Sequence, residues 1–129
     1  MGVQIAAAKG ADVTVISRTT RKAEDAKKLG ATRLLATTEE EDFFRNHRGE
    51  FDLILSTISA EYDLEDYLRL LKPRGIMSVV GLPPEALSLR INRLVGGGKV
   101  LTGNNIGGIA ETQEMLDFCA EHNLSLIHI

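Results

Sequence analysis

Segments with helical periodicity alternate with short β-branched runs along the chain, and this alternation restricts the fold more than any other feature of the sequence. The run 51–57 is apolar on both faces, which is typical of a parallel strand that helices cover on two sides. The order of the segments predicts α-β-α-β-α-β-α-β-α-β-α. Such an order indicates an α/β protein with a doubly wound parallel sheet and right-handed crossovers.

Local patterns place the individual segments. Gly10 and Gly30 end the first two helices, because glycine adopts the left-handed conformation at little cost. Thr38 and Glu41 fit a capping box at the start of the third helix, with the acids of residues 39–42 in its first turn. Proline cannot continue a helix, so Lys72–Gly75 is predicted to be a turn. The predicted helices are 1–9, 20–29, 38–48, 64–71, 88–95 and 111–122, and the predicted strands are 12–17, 32–36, 51–57, 76–80 and 100–102.

The first predicted element is a helix, whereas a doubly wound domain opens on a strand. We therefore expect a truncated Rossmann fold that lacks its first strand and the glycine-rich phosphate loop after it. In the strand order 3-2-1-4-5-6 the first strand is central, so its loss leaves two unpaired inner edges. The triplet Gly96–Gly98 does not replace the loop, because it does not lead from a strand into a helix, and we interpret it as a flexible connector.

Composition and charge argue against several classes of protein. The net charge of −3 disfavours non-specific binding to nucleic acid or to an anionic membrane surface. We find no apolar run near the roughly 20 residues that span a bilayer and no signal-peptide pattern. Cys119 is the one cysteine, which fits a reducing cytoplasm, and its place on the apolar face of the last helix favours packing over catalysis. His47, His122 and His128 are scattered without the spacing of metal ligands.

The most informative segment follows the strand 12–17, which is the second strand of the expected fold. Dinucleotide folds contact the adenosine ribose there. An NAD site usually has Asp or Glu for the 2′-hydroxyl group, and an NADP site has cations and hydroxyl groups instead. Arg18 can bind a phosphate through two parallel hydrogen bonds or stack on adenine. The segment contains no acid but three cations and three hydroxyl groups, namely Ser17, Arg18, Thr19, Thr20, Arg21 and Lys22.

The alternative interpretation of this segment is a capped helix start with solvated basic side chains. Arg21 and Lys22 would then oppose the helix dipole at a cost of roughly 0.3–1 kcal/mol each. An anion bound at the same helix start removes this conflict. The segment therefore favours a site for the 2′-phosphate of NADP.

Three other predicted strand ends have residues that suit a ligand. Ligands of parallel sheets bind outside the carboxyl ends of the strands, which here are Ser56–Ile58, Val80–Leu82 and Gly103–Ile106. A hydroxyl group, a glycine that permits close approach and an amide pair can line a nicotinamide and its ribose. The alternative is that these residues only form turns.

Several longer motifs resemble a known family when they are taken in order. They are Met1–Ala6, Lys9–Val15, 27–31, 51–54, 70–75 and 101–107. Together they resemble the zinc-type medium-chain alcohol dehydrogenases, and most of all their cinnamyl-alcohol dehydrogenase branch, from Met1 to about Asn123. The resemblance predicts a partial NADP-binding Rossmann domain over residues 1–123. Residues 124–129 do not resemble the family's continuation and form a tail of uncertain origin.

The resemblance implies an NADP-dependent enzyme that interconverts alcohols and aldehydes by hydride transfer with a catalytic zinc. It places the zinc ligands and the phosphate loop upstream, so this chain would contain neither catalytic nor metal-binding residues and would be inactive alone. The parent enzyme would be a cytoplasmic homodimer that acts on a small alcohol or aldehyde. By resemblance, the 2′-phosphate binds to Ser17, Arg18, Thr19, Arg21 and Lys22. The nicotinamide side is approached by Thr57 and Gly81, and contacted near the dimer interface by Asn104, Asn105 and Ile106.

Two other functions remain open from the sequence. One is a zinc-free medium-chain reductase of the quinone-reductase kind, which only the ligands of the catalytic domain would separate from the zinc enzyme. The other is a non-enzymatic module that senses NADP. A natural reading frame that truly begins at Met1 would favour the module.

Overall fold

The computed structural model describes residues 1–125, and the alternation of helices and strands predicted from the sequence is confirmed there. The strands are β1 (Thr14–Ser17), β2 (Arg33–Ala36), β3 (Phe51–Ser56), β4 (Leu71–Val79) and β5 (Val100–Gly103). The helices are α1 (Gly2–Ala8), α2 (Ala23–Lys28), α3 (Phe43–Asn46), α4 (Leu64–Arg69), α5 (Asn92–Val95) and α6 (Ile109–Glu121). None of the helices within residues 1–125 is long and apolar enough to cross a bilayer.

The five strands form two parallel sheets. β1 pairs with β2 in register from Thr14 opposite Arg33 to Ser17 opposite Ala36, and the second sheet has the order β3-β4-β5. In a doubly wound sheet, the second and third strands lie on one side of the first strand and the fourth to sixth lie on the other. The two observed groups are those that this order gives without its first strand. The α/β Rossmann fold predicted from the sequence is therefore confirmed.

The described chain divides into two compact units. One contains residues 1–41 and 106–125, and the other contains Asp42–Asn105. In the first unit, Gly10 (φ +87°) and Gly30 (φ +103°) follow the ends of α1 and α2 in the conformation predicted for them. A Cβ atom on Gly30 would lie 2.9 Å from Cβ of Ala7, so this glycine also permits close packing.

The core of the second unit is formed by α4 and the three-stranded sheet. Leu68, Leu70, Leu71 and Met77 are each at most 1% exposed. The sequence predicted that β3 is buried on both faces, and this is wrong for the described chain. Ile54 and Ser56 are buried, but Leu53 and Leu55 on the opposite face are 62% and 49% exposed. The reason is that the described residues do not cover that face.

Three details of the predicted elements are also wrong. The third helix does not begin at the Thr38–Glu41 capping box, because the Thr38 hydroxyl group donates to the carbonyl oxygen of Arg18 instead, and α3 begins only after Asp42. Lys72–Gly75 is not a turn between elements but an irregular part of β4 with a shift of register, where Arg74 has φ +63°. The fifth helix is also shorter than predicted, because it covers only Asn92–Val95.

Candidate functional site

The cationic segment, Ser17–Lys22, leads from β1 into α2. Thr19 is extended (φ −134°, ψ 164°), and Thr20–Lys22 forms one 3₁₀ turn before α2 begins. Arg18, Arg21 and Lys22 are exposed. Within residues 1–125 none of these three cations forms an ion pair. The segment thus presents three unpaired positive charges together with hydroxyl groups, which is a donor set that suits a phosphate.

The residues after β2 hold the cationic segment in place. The N–H of Thr37 donates to the carbonyl oxygen of Ser17 (2.8 Å), and the N–H and hydroxyl group of Thr38 both donate to that of Arg18 (3.2 and 2.5 Å). The N–H of Thr20 donates to Oε1 of Glu39 at 3.0 Å. Sequence reasoning missed this contact, although the parallel pairing of β1 and β2 is a signal that their carboxyl ends lie side by side.

The second group of predicted site residues lies at the carboxyl edge of the three-stranded sheet. The carbonyl oxygen of Ser56 accepts the N–H groups of Val80 (2.9 Å) and Gly81 (3.2 Å), so the residue after β3 lies beside the end of β4. Asn104 continues β5, and its N–H donates to Val79 at 3.1 Å. The structure therefore brings Thr57, Gly81 and Asn104 to one edge of the sheet, and their role toward a cofactor stays a prediction.

Gly81 permits an unusually close approach, and the group that approaches belongs to the protein. A Cβ atom on Gly81 would lie 2.2 Å from the carbonyl oxygen of Ile58 and 2.6 Å from its carbonyl carbon. Gly81 is buried, whereas Thr57 is exposed. The backbone of Ile58 alone is thus sufficient reason for a glycine at this position, and a role of Gly81 toward the nicotinamide stays a prediction.

The remaining site residues follow Asn104. Asn105 donates its N–H to Oδ1 of Asn104 at 2.9 Å, which fixes the first turn after β5. Ile106 belongs to the first unit and is 92% exposed. At the start of α6 the N–H of Gly108 already donates to Glu111 (2.8 Å), so the chain supplies its own carboxylate there.

A buried carboxylate fixes the loop that leaves β4 at the same edge. Glu65 on α4 is 8% exposed and accepts hydrogen bonds from the N–H (2.8 Å) and the guanidinium group (2.6–3.1 Å) of Arg90 and from Arg93 (2.9 Å). Hydrogen bonds from Arg90, and then from Arg93, hold the pKa of Glu65 far below its usual value. Sequence reasoning missed this cluster, because its members are distant in the chain.

Other ionisable and nucleophilic side chains have structural roles. Among residues 1–125 we find no group of three His, Cys, Asp or Glu residues that could hold a metal ion, so these residues do not fit a zinc site. Cys119 is 7% exposed and its Sγ lies 3.7 Å from Sδ of Met115, as expected for a packing residue. His47 pairs with Glu50 at 2.5 Å, and His122 stacks on Phe118. His128 lies outside the described residues.

Comparison with known proteins identifies relatives of the whole described chain. Residues 1–121 match the family described as zinc-binding dehydrogenase. The NADP-dependent alcohol dehydrogenase C of Mycobacterium tuberculosis is 50% identical over 125 residues, which cover 97% of this chain and 36% of that protein. A cinnamyl alcohol dehydrogenase from Sorghum bicolor has a similar structure, with a TM-score of 0.89 and 38% identity over 97% of this chain and 35% of that chain.

A further solved structure, the CAD from Helicobacter pylori complexed with NADP(H), gives a TM-score of 0.84 at 39% identity and covers 96% of this chain and 35% of that chain. The chain thus spans about a third of the length of these relatives. The family match, in contrast, includes both units and all five strands. The chain therefore belongs to the zinc-binding dehydrogenase family.

Proposed function

We propose that this chain is the cofactor-binding part of an NADP-dependent zinc alcohol dehydrogenase, which transfers hydride between NADP and a small alcohol or aldehyde. The cationic segment at the end of β1 carries the proposal, because its three cations have no ion-pair partner in residues 1–125. Its position matches the ribose-binding end of the second strand in a doubly wound fold. The name of the Mycobacterium tuberculosis relative supports the choice of cofactor and reaction.

The cationic segment would hold the 2′-phosphate of NADP. The guanidinium group of Arg18 would donate two hydrogen bonds to phosphate oxygens, and Ser17 and Thr19 would donate from their hydroxyl groups. Arg21 and Lys22 add positive charge in the turn that leads into α2. NAD has no phosphate at this position, so these contacts would select NADP.

The carboxyl edge of the three-stranded sheet would face the nicotinamide side of the cofactor. NADP, when bound, supplies the carbon atom that accepts or donates the hydride. Thr57 would donate a hydroxyl hydrogen bond, and Asn104 and Asn105 would offer amide groups next to the apolar side chain of Ile106. The main task of these residues is orientation, because a misplaced nicotinamide slows hydride transfer.

The other groups that the reaction needs would lie elsewhere in the complete protein, since the chain spans 36% of the Mycobacterium tuberculosis relative. The residues that hold zinc would lie there, because residues 1–125 provide no such group. The first strand of the fold would also lie there, and the glycine loop after it would bind the pyrophosphate. We further propose that the complete protein is a homodimer, as its family resemblance implies, and that it is cytoplasmic, since the one cysteine of this chain fits a reducing compartment.

The experiment compares Arg18→Ala with the matched variant Lys28→Ala in the complete protein. Lys28 is an exposed cation at the end of α2, so both variants lose one positive charge. A hydrogen-bonded charge contributes about 1.5–3 kcal/mol, so Arg18→Ala should lower kcat/KM for NADP about 10- to 100-fold. Lys28→Ala should change kcat/KM less than about twofold. Equal losses with NADP and NAD in Arg18→Ala would contradict the proposal.

A further inference from the structure

The carboxylate of Glu39 lies against the cationic segment, although the segment itself contains no acid. Its Oε1 accepts the N–H of Thr20, the first residue of the 3₁₀ turn, at 3.0 Å. The position of Glu39 is fixed by its neighbour, because the N–H and the hydroxyl group of Thr38 both donate to the carbonyl oxygen of Arg18. Glu39 therefore reaches the segment through the side-by-side ends of β1 and β2, and not as part of a helix.

We infer that Glu39 sets the strength of cofactor discrimination at the proposed 2′-phosphate site, and this inference rests on the proposed function. Its carboxylate accepts a hydrogen bond from the N–H of Thr20, and its negative charge repels the phosphate that the three cations attract. A phosphate monoester has a charge of about −1.5 to −2 at pH 7, so a neighbouring carboxylate weakens its binding. NAD has no phosphate at this position and is not affected.

One substitution separates the effect of the Glu39 hydrogen bond from the effect of its negative charge. Glutamine retains the oxygen that accepts the N–H of Thr20 and removes only the charge. If Glu39 served only as the hydrogen-bond acceptor of Thr20, Glu39→Gln would leave the preference for NADP unchanged. If its charge opposes the phosphate, the same substitution strengthens NADP binding and leaves NAD binding as it is.

The experiment measures kcat/KM for NADP and NAD in the complete protein at ~20 mM and ~500 mM NaCl. We expect Glu39→Gln to raise kcat/KM for NADP about three- to tenfold at low salt, with less than a twofold change for NAD. The gain should shrink at high salt, where exposed charges are screened over about 3–5 Å. The control is Glu114→Gln, which removes the same charge from an exposed position on α6 and should leave the ratio unchanged.

The other possible results of this experiment distinguish a failure of the inference from a failure of the proposed function. An unchanged ratio of NADP to NAD in Glu39→Gln would overturn the inference and leave the proposed function intact. A loss of kcat/KM with both cofactors together with a lower Tm would also overturn it, because the charge of Glu39 would then stabilise the segment and not oppose the phosphate. A wild-type protein without preference for NADP would overturn the proposed function, and the inference with it.

Discussion

Gly81→Ala should destabilise the protein strongly, because the backbone of Ile58 occupies the space that a methyl group would need. The Cβ atom would lie 2.2 Å from the carbonyl oxygen of Ile58, 2.6 Å from its carbonyl carbon and 2.8 Å from its nitrogen. A carbon and an oxygen atom without a bond between them require more than 3 Å. One of the two segments would therefore have to move by about 1 Å, since a close-packed interior does not compress.

The cost has two parts. Excess volume in a packed interior costs typically 1–3 kcal/mol. The shift would also weaken the two hydrogen bonds that Val80 and Gly81 donate to the carbonyl oxygen of Ser56, each of which contributes about 1 kcal/mol. We expect a total loss of about 2–5 kcal/mol. For a domain of ordinary size this lowers Tm by about 5–15 °C.

Thermal unfolding of the complete protein without cofactor, followed by circular dichroism, measures this effect apart from any role of Gly81 in binding. The matched control is Gly103→Ala at the end of β5, where a Cβ atom would lie 3.6 Å from the carbonyl oxygen of Val79, an ordinary contact. We expect its Tm to change by less than about 2 °C. If Gly81→Ala melted within 2 °C of Gly103→Ala, the steric argument would be refuted.

Two further predictions concern stability and binding. Glu65→Gln should lower Tm at pH 6 but less toward pH 3, because the pKa of Glu65 is lowered in the folded state and its stabilisation is lost as the pH falls below the unfolded value of about 4.3. A difference in Tm between the wild-type protein and Glu65→Gln that stays constant with pH would contradict this. Glu85→Gln, at an exposed position, serves as the control. The 129-residue chain alone should bind NADP weakly or not at all in calorimetry, since in the described residues β1 and β3 each pair along one edge only. Tight binding by this chain would show that no further strand or loop is needed.

The order of elements was predictable because the patterns that specify it are local. Glycines at positions 10 and 30 end helices through their own conformation, and β-branched runs form strands wherever a sheet is available. The prediction of a capping box at Thr38 was wrong because the Thr38 hydroxyl group donates to a residue distant in the sequence, at the carbonyl oxygen of Arg18. The prediction of a turn at Lys72–Gly75 was wrong for a similar reason, since the N–H of Arg74 donates to the carbonyl oxygen of Gly97, a residue distant in the sequence.

The candidate site shows the same division between local and distant contacts. The three cations of Ser17–Lys22 lie within six consecutive residues, so their local cluster could be recognised from the sequence alone. Glu39 enters through the pairing of two strands, and Glu65 meets Arg90 and Arg93 from 25 and 28 positions away. The sequence also could not indicate that the close approach at Gly81 comes from Ile58.

We propose that the cationic segment recognises the 2′-phosphate of NADP, and two nucleotides test this directly. Adenosine 2′,5′-bisphosphate and adenosine 5′-monophosphate differ only by that phosphate, so their inhibition constants against the cofactor in the complete protein isolate its contribution. We predict that the bisphosphate inhibits about 10- to 100-fold more strongly, and that Arg18→Ala removes most of the difference. Equal inhibition by the two nucleotides in the wild-type protein would contradict the account.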